Sequence, residues 1–299
     1  MLPDIHLPPQ VRRIRHAGHD CLRLEVAHGS AIVALHGAHL LSWLPAGQRE
    51  VFWLSPEALT EPSPIRGGIP VCWPWFGKQG MPANALQHGP ARISPWQLTA
   101  VHHSSDDEIS LSLAPRMPGM EGVPAGLDVS LRITLGRTLG QTLHTRNLGA
   151  GAVALTQALH NYFAVSDAAG VAIEGLAGLP WHDRLRSATN TDVQTGLFAL
   201  EQACDRTYYH PSSNGDPHRP AHRYLLHDPA WRRRIVIDTQ GSQSVVVWNP
   251  GDEGARKIAD MPDDGWRNFF CIETANAGPD VIKLPADAEH RLVQIFCIF

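Results

Sequence analysis

The strongest constraint on this chain is an apolar–polar alternation of period two. Leu127, Val129, Leu131, Ile133 and Leu135 interleave with Asp128, Ser130, Arg132 and Thr134. Only an extended strand puts every second side chain on one face, so this stretch reads as a strand with one buried side and one wet side. Leu22, Leu24 and Val26 alternate in the same way with Arg23 and Glu25, and Ile109, Leu111 and Leu113 with Ser110 and Ser112. Strands are also expected over 30–35, 96–101, 139–146, 153–160, 234–238, 244–248, 269–272 and 291–298. Long amphipathic helices are absent, and only short helical turns are expected, near 56–59 and 253–259. Many strands with Gly/Pro turns and no strand–helix–strand alternation predict an all-β, antiparallel sandwich or barrel.

No linker divides the 299 residues, which predicts a single domain over 1–299. The polar stretch 212–222 (SSNGDPHRPAH) reads as a loop inside that domain, because strand patterns resume at Tyr224. A hydrophobic fraction of 43% with 18% charged residues is that of a soluble globular protein. With a net charge of −4, neither nucleic acid nor an anionic membrane is the expected partner, since both demand a basic surface. The short basic run Arg232, Arg233, Arg234 reads as a solvated strand edge. The five cysteines are odd in number and lack close C-x-x-C spacing. With no apolar run long enough for a signal peptide or a membrane span, the expected location is a reducing cytoplasm.

Against this background one stretch is unusual, residues 64–77, which read PIRGGIPVCWPWFG. Gly67 and Gly68 permit close backbone approach, and Pro64 and Pro70 stiffen either side. Such a loop presents Arg66 with little freedom left to lose on binding, beside the aromatic faces of Trp73, Trp75 and Phe76. A fixed guanidinium next to apolar faces suits an anionic ligand with an apolar ring face, such as a sugar phosphate. A turn whose aromatics are merely core has the same composition.

Four further positions could do chemistry. In VALTQALHNYF (153–163), alternation sets Val153, Leu155, Gln157 and Leu159 on one face and Ala154, Thr156, Ala158 and His160 on the other. A histidine closing such a small, polar face can be a general acid, or a structural histidine at a strand end. In NFFCIETAN (268–276), Glu273 follows an apolar run and sits either at a cavity mouth as a base or on the surface. In LQHGPARISPW (86–96), Gln87, His88 and Arg92 surround a Gly-Pro turn and could converge on one ligand. Asp205 could accept from hydroxyls or pair with Arg206. The histidine spacings at His36/His39, His102/His103 and His218/His222 come without a completing carboxylate or cysteine set, so no metal is expected. Phosphate-loop, dinucleotide and G-x-S-x-G motifs are absent, so no cofactor is expected either.

The clusters IRGGIPVCWPWFG, QHGPAR, LHNYF, DRTY and FFCIE, in this order, resemble the glucose-6-phosphate 1-epimerase (hexose-6-phosphate mutarotase) family of the aldose 1-epimerase-like superfamily. The resemblance runs from about Trp43 to the C-terminus. It implies an antiparallel β-supersandwich of the galactose mutarotase-like type, with a carbohydrate site on its concave face. It also implies that His160 and Glu273 are the catalytic pair and that Arg66, Gln87, Arg92 and Asp205 bind substrate, the arginines near phosphate. The implied activity is interconversion of the α and β anomers of a hexose 6-phosphate. Alternatives are an epimerase of non-phosphorylated aldoses and a non-catalytic sugar-phosphate binding protein. From their ordinary pKa values, Glu273 should set the acidic limb of a pH–rate profile and His160 the basic limb. Two positions depart from the family pattern: Pro90 where an aromatic residue is common, and Asn161 where a small hydroxyl residue is common.

Overall fold

The structure is a computed structural model that describes residues 5–105, 107–116, 120–186, 191–210 and 221–299. It is built almost wholly from antiparallel strands. Nine strands form one sheet, eight form a second, four N-terminal strands form a third and two form a short ribbon. The alternating stretch Leu127–Leu135 is a strand with its expected bounds, flanked in the nine-stranded sheet by Glu108–Pro115 and Leu139–Asn147. Its inward residues Val129, Leu131 and Ile133 are buried in a core shared by three sheets. The eight-stranded sheet contributes Leu159, Val245, Val247, Phe270 and Ile272 to this core, and the N-terminal sheet Leu22, Leu24, Val33, Leu40 and Trp43. Phe52, Phe163 and Phe296 meet at its centre, with ring centroids 5.4–5.5 Å apart. Among the described residues no helix is long and apolar enough to cross a membrane.

Several expectations are corrected, each for a local physical reason. Residues 153–160 do not form one strand. Val153–Leu155 pairs with Ile282–Leu284, whereas Gln157–Leu159 pairs with Phe269–Asn276 and Val71–Cys72. Thr156 leaves the ladder because its N–H donates to Pro74 and its hydroxyl accepts from the Phe76 N–H at 2.9 Å. The strand expected over 269–272 continues to Asn276, so Glu273 lies within it rather than after it. Both faces of this strand are covered, which hides the period, and its later polar residues are satisfied in place. Thr274 donates to Gln294 at 2.7 Å and Asn276 donates to the Gly241 carbonyl at 2.9 Å. Arg233 is not at a solvated edge. Its strand, Arg233–Gln240, is interior, and its buried guanidinium donates to the Glu50 and Ala164 carbonyls. A short helix does form at Gly251–Ala255, but Pro56–Leu59 makes only a turn closed by the Ala58 N–H on Ser55. All but the last two residues of the 212–222 stretch, and His218 with them, lie outside the described residues.

The Arg66 loop is pinned from three sides. Gly68 N–H donates to Trp53, Ile69 N–H to Leu40 and Tyr162 N–H to Gly68. The buried His39 donates from Nε2 to the Gly67 carbonyl at 2.7 Å, and burial pushes its pKa down to about 3, so it holds the loop as a neutral ring. Gly67 and Gly68 have φ of +104° and +59°. A Cβ on either would run into backbone, the Trp53 carbonyl in one case and the Leu40 carbonyl in the other. Gly68→Ala combines a positive φ with that clash, so it should cost at least ~1 kcal/mol of stability and displace Arg66. Urea unfolding measures the first effect. A stability matching the parent protein would show that the loop yields.

Candidate active site

The site lies on the face of the eight-stranded sheet turned away from the shared core. Its layout follows from register. Across Cys204–Tyr209, Ser244–Asn249, Phe269–Asn276 and Tyr162–Ala164, one row of paired residues reads Asp205, Trp248, Cys271, Tyr162. The next row on the same face reads Thr207, Val246, Glu273. His160 follows Gln157–Leu159, whose Leu159 pairs with Thr274, and this brings its ring beside Glu273. Ala158, Cys72, Val246 and Ala275 form a small apolar floor alongside. Of the residues that alternation set on one face, Ala154, Thr156, Ala158 and His160, Ala158 and His160 lie on this face of the eight-stranded sheet, while Ala154 belongs to the separate ribbon.

His160 Nε2 and Glu273 Oε1 are 3.4 Å apart, and both side chains are buried. The far atoms, His160 Nδ1 and Glu273 Oε2, are sealed from solvent and have no hydrogen-bond partner among the described residues. Aromatic walls hold the imidazole instead. Tyr162 stacks on it at 4.8 Å with 10° between planes, while His88 and Trp248 meet it edge-on, each at 5.8 Å. Phe76 packs against His88 at 4.9 Å. Burial is the largest influence on both groups and penalises charge on each. It pushes His160 well below its usual 6.5, with His88, Arg92 and Arg66 adding to the effect. Glu273 is pushed well above 4.5 by burial and by Asp205, against a smaller pull from Arg184. The attraction between a charged histidine and a charged glutamate at this separation opposes both shifts, so the two groups titrate as a pair.

Charged groups surround the pair. Arg66 donates from Nε to Asp260 at 3.0 Å and from Nη1 to the Tyr162 hydroxyl at 3.0 Å. Arg92, at the 3-10 turn Ala91–Ile93, is half-buried and has no carboxylate or hydrogen-bond partner among the described residues. Its own pKa is depressed by burial and by Arg66. His88 has a positive φ of 66° and exchanges hydrogen bonds with Gly77, whose N–H donates to Nδ1 at 3.1 Å. Nε2 of neutral His88 then carries the proton and lies 3.2 Å from Gln87 Nε2, so the Gln87 amide accepts it only when turned end for end to present its oxygen. Gln87 itself is exposed at the rim. Asp205 is half-buried, and burial raises its pKa, with Asp183 adding and Arg184 opposing. It does not pair with Arg206, whose Nε reaches Asp183 at 3.4 Å and whose guanidinium lies 4.0 Å from the Trp181 ring centre.

Arg66, Arg92, His160, Asp205 and Glu273 are thus brought to one face, with Gln87 at its edge. The aromatic faces expected from Trp73 and Trp75 are elsewhere. Trp73 is in the core, donating to Thr145 at 2.9 Å, and Trp75 donates to the Leu86 carbonyl. Only Phe76 of that trio reaches the site, and Tyr162 and Trp248 supply the remaining faces. Tyr162 was legible by alternation from His160. Asp260, 194 residues from Arg66, carries no sequence signal. Arg184, over the Phe76 ring at 5.2 Å, likewise needed the fold. Pro90 is buried and takes the N-cap position of the Ala91–Ile93 turn. Asn161 points away from it, exchanging amide hydrogen bonds of 2.9 and 2.8 Å with Gln294 and donating to Ile272 at 2.8 Å.

The aldose 1-epimerase family model matches residues 20–297. A protein of Escherichia coli strain K12 named "Putative glucose-6-phosphate 1-epimerase" is 37% identical over 281 residues, covering 92% of this chain and 89% of its own length. The crystal structure of a "putative mutarotase" from Salmonella typhimurium superposes with a TM-score of 0.86 at 31% identity, covering 99% of this chain and 96% of that one. A galactose mutarotase-like protein from Clostridium acetobutylicum has the same fold, with a TM-score of 0.72 at 15% identity over 97% of this chain and 98% of its own. The chain belongs to the aldose 1-epimerase family.

Proposed function

We propose that this protein interconverts the α and β anomers of a hexose 6-phosphate, with glucose 6-phosphate the leading substrate, by acid–base ring opening and closure. The observation that carries the reading is a buried imidazole and carboxylate 3.4 Å apart, with an arginine close by that has no carboxylate partner among the described residues. The two oxygens of one hemiacetal carbon present a proton to remove and a position to protonate, side by side. Glu273 Oε1 takes the proton of the C1 hydroxyl while His160 Nε2 gives one to the ring oxygen. The bond from C1 to the ring oxygen breaks and C1 becomes an aldehyde. Rotation about C1–C2 exposes the other face, and closure with the roles reversed returns the opposite anomer. Opening turns the His⁺/Glu⁻ pair into the His/GluH pair, so the total proton count never changes. The chemistry is complete with two side chains and calls for no metal or nucleotide.

Arg92 and Arg66 read the phosphate, Asp205 the sugar hydroxyls, and Gln87 closes the rim. Name-level support comes from the Escherichia coli relative, whose name specifies glucose 6-phosphate. The site belongs to one domain, in keeping with a core cluster that runs from Val11 to Phe296. All five cysteines are free, in keeping with a reducing cytoplasm.

The test is α/β exchange followed by NMR on glucose 6-phosphate and on glucose, against the buffer rate. Exchange of glucose 6-phosphate alone supports the reading. Equal rates on both sugars would favour a general aldose epimerase, and binding without exchange a sugar-phosphate binding protein. Glu273→Gln and His160→Asn should each lower the rate ~10²–10⁴-fold while binding survives, and the double variant should lose little more. Arg92→Ala should raise KM for the phosphorylated sugar roughly 10–100-fold, because a charge-assisted bond is lost, and change KM for glucose far less.

The pH dependence follows from the pair. His160 is held well below 6.5 and Glu273 well above 4.5, so each limb of the profile belongs to the pair, whose one-proton form is the active one. Falling pH places a second proton on His160 and removes the base–acid combination, so the acidic limb lies below 6.5. Rising pH strips the shared proton from Glu273, and that sets the alkaline limb. Ring-nitrogen NMR of His160 in the free protein should show a neutral imidazole at pH 7, protonating in step with the acidic limb. A charged imidazole at pH 7 would contradict the assignment.

A further inference from the structure

The geometry points to Tyr162 as a positioning residue that orders His160 through its ring and Arg66 through its hydroxyl, so that phosphate recognition and the general acid share one side chain. This rests on the proposed reading of the site and deepens it. A catalytic imidazole is commonly oriented by a hydrogen bond to its second ring nitrogen, which fixes both the rotamer and the proton-bearing atom. His160 Nδ1 is buried and makes no hydrogen bond to another described residue, its backbone contact being within His160 itself. Its orientation therefore comes from packing. Of the rings around it, only Tyr162 lies parallel, at 4.8 Å and 10°, while His88 and Trp248 bound the edges. Tyr162 is itself fixed from behind by Trp53 at 6.1 Å and Phe269 at 5.1 Å, so the parallel wall is rigid.

The other end of the same ring is polar. The Tyr162 hydroxyl accepts from Arg66 Nη1 at 3.0 Å, while Asp260 takes Nε at 3.0 Å. Burial raises the Tyr162 pKa, against the opposing pull of Arg66, so the phenol stays neutral and acts as an acceptor with its own proton still to give. Asp260 is anchored in turn, its backbone carbonyl accepting from Ser55 at 2.7 Å. Two of the guanidinium's three nitrogens are thereby committed, which fixes the plane and leaves Nη2 as the group free to meet an anion. Backbone register reinforces the link, since the Tyr162 N–H donates to Gly68, two residues beyond Arg66. An anion that pulls on Arg66 is therefore opposed by the ring that holds the acid in line.

Two substitutions separate the two halves. Tyr162→Phe is isosteric and removes only the hydroxyl. Its loss of kcat/KM should be ~10-fold greater on glucose 6-phosphate than on glucose and appear in KM, with the His160 ring resonances unmoved. Tyr162→Leu removes the parallel wall, and should lower kcat on both sugars ~10-fold or more while shifting the His160 resonances through the lost ring current. Equal losses on both sugars in Tyr162→Phe overturn the coupling to Arg66. Wild-type kcat or unshifted His160 resonances in Tyr162→Leu overturn the positioning of the acid. If Tyr162→Leu does not fold, Tyr162→Met, which also removes the flat ring but fills more of its volume, gives the same two readouts. Wild-type protein that exchanges glucose 6-phosphate no faster than buffer sinks the functional reading instead, and rotamer averaging of the His160 ring in Tyr162→Leu, read from its ring-proton line widths, still decides whether Tyr162 orders the ring.

Discussion

The arrangement depends on placing a carboxylate where water cannot fully reach it. Glu273 is 1% exposed, in a strand covered on both faces, and its outer oxygen has no protein donor among the described residues. Left alone, such a carboxylate would simply stay protonated. Burial presses the neighbouring imidazole to lose its proton and the carboxylate to keep one, so the uncharged pair is the favoured one. Reversible ring opening needs the proton to cross between substrate and pair in both directions. The depth of the sheet is therefore part of the chemistry, and the polar residues beneath it are what make the depth tolerable. Asn161, Gln294, Thr274 and Gln141 hydrogen-bond one another behind the site, so the strand bearing Glu273 hides polar side chains without leaving most of them unpaired.

The arginines divide the electrostatic work unequally. Arg66 is held between Asp260 and Tyr162, so much of its charge is already answered and its value is geometric. Arg92 touches no carboxylate among the described residues, and although Cys72, Tyr162 and Asp260 favour its charge at longer range, burial and Arg66 oppose it and leave its pKa depressed. The same field lowers the pKa of His160. In the proposed function, a ligand dianion at the arginines relaxes that field and so favours the protonated imidazole.

The fold was legible wherever one face of a strand is wet. Leu127–Leu135 keeps its expected bounds because Asp128, Ser130, Arg132 and Thr134 face outward. Legibility failed where both faces are covered, as at Glu273, or where a strand is too short to show a period, as at Val71–Cys72 and Tyr162–Ala164. It also failed where a loop interrupts a ladder, as Pro74 and Phe76 do at Thr156. The site residues singled out by motif do converge, because each lies on or beside a rigid element. The residues that fix them, Asp260 and Trp248 above all, are joined to them only by folding, and the basic run at Arg232–Arg234 misled because a guanidinium can be buried when carbonyls receive it.

The alternation that defines the eight-stranded sheet also limits how this protein can vary. Within Phe269–Asn276, Glu273 and Thr274 face opposite sides of one sheet. Gain of a single residue upstream in that strand would send the carboxylate into the amide cluster and Ile272 into the site, and loss of one would put the Thr274 hydroxyl where the carboxylate stands. The strand can thus accept substitutions but not length changes, while the connections between sheets can lengthen freely. Diversification of such a scaffold is channelled into its loops, and the reading frame of one eight-residue strand is the part of the gene least able to drift.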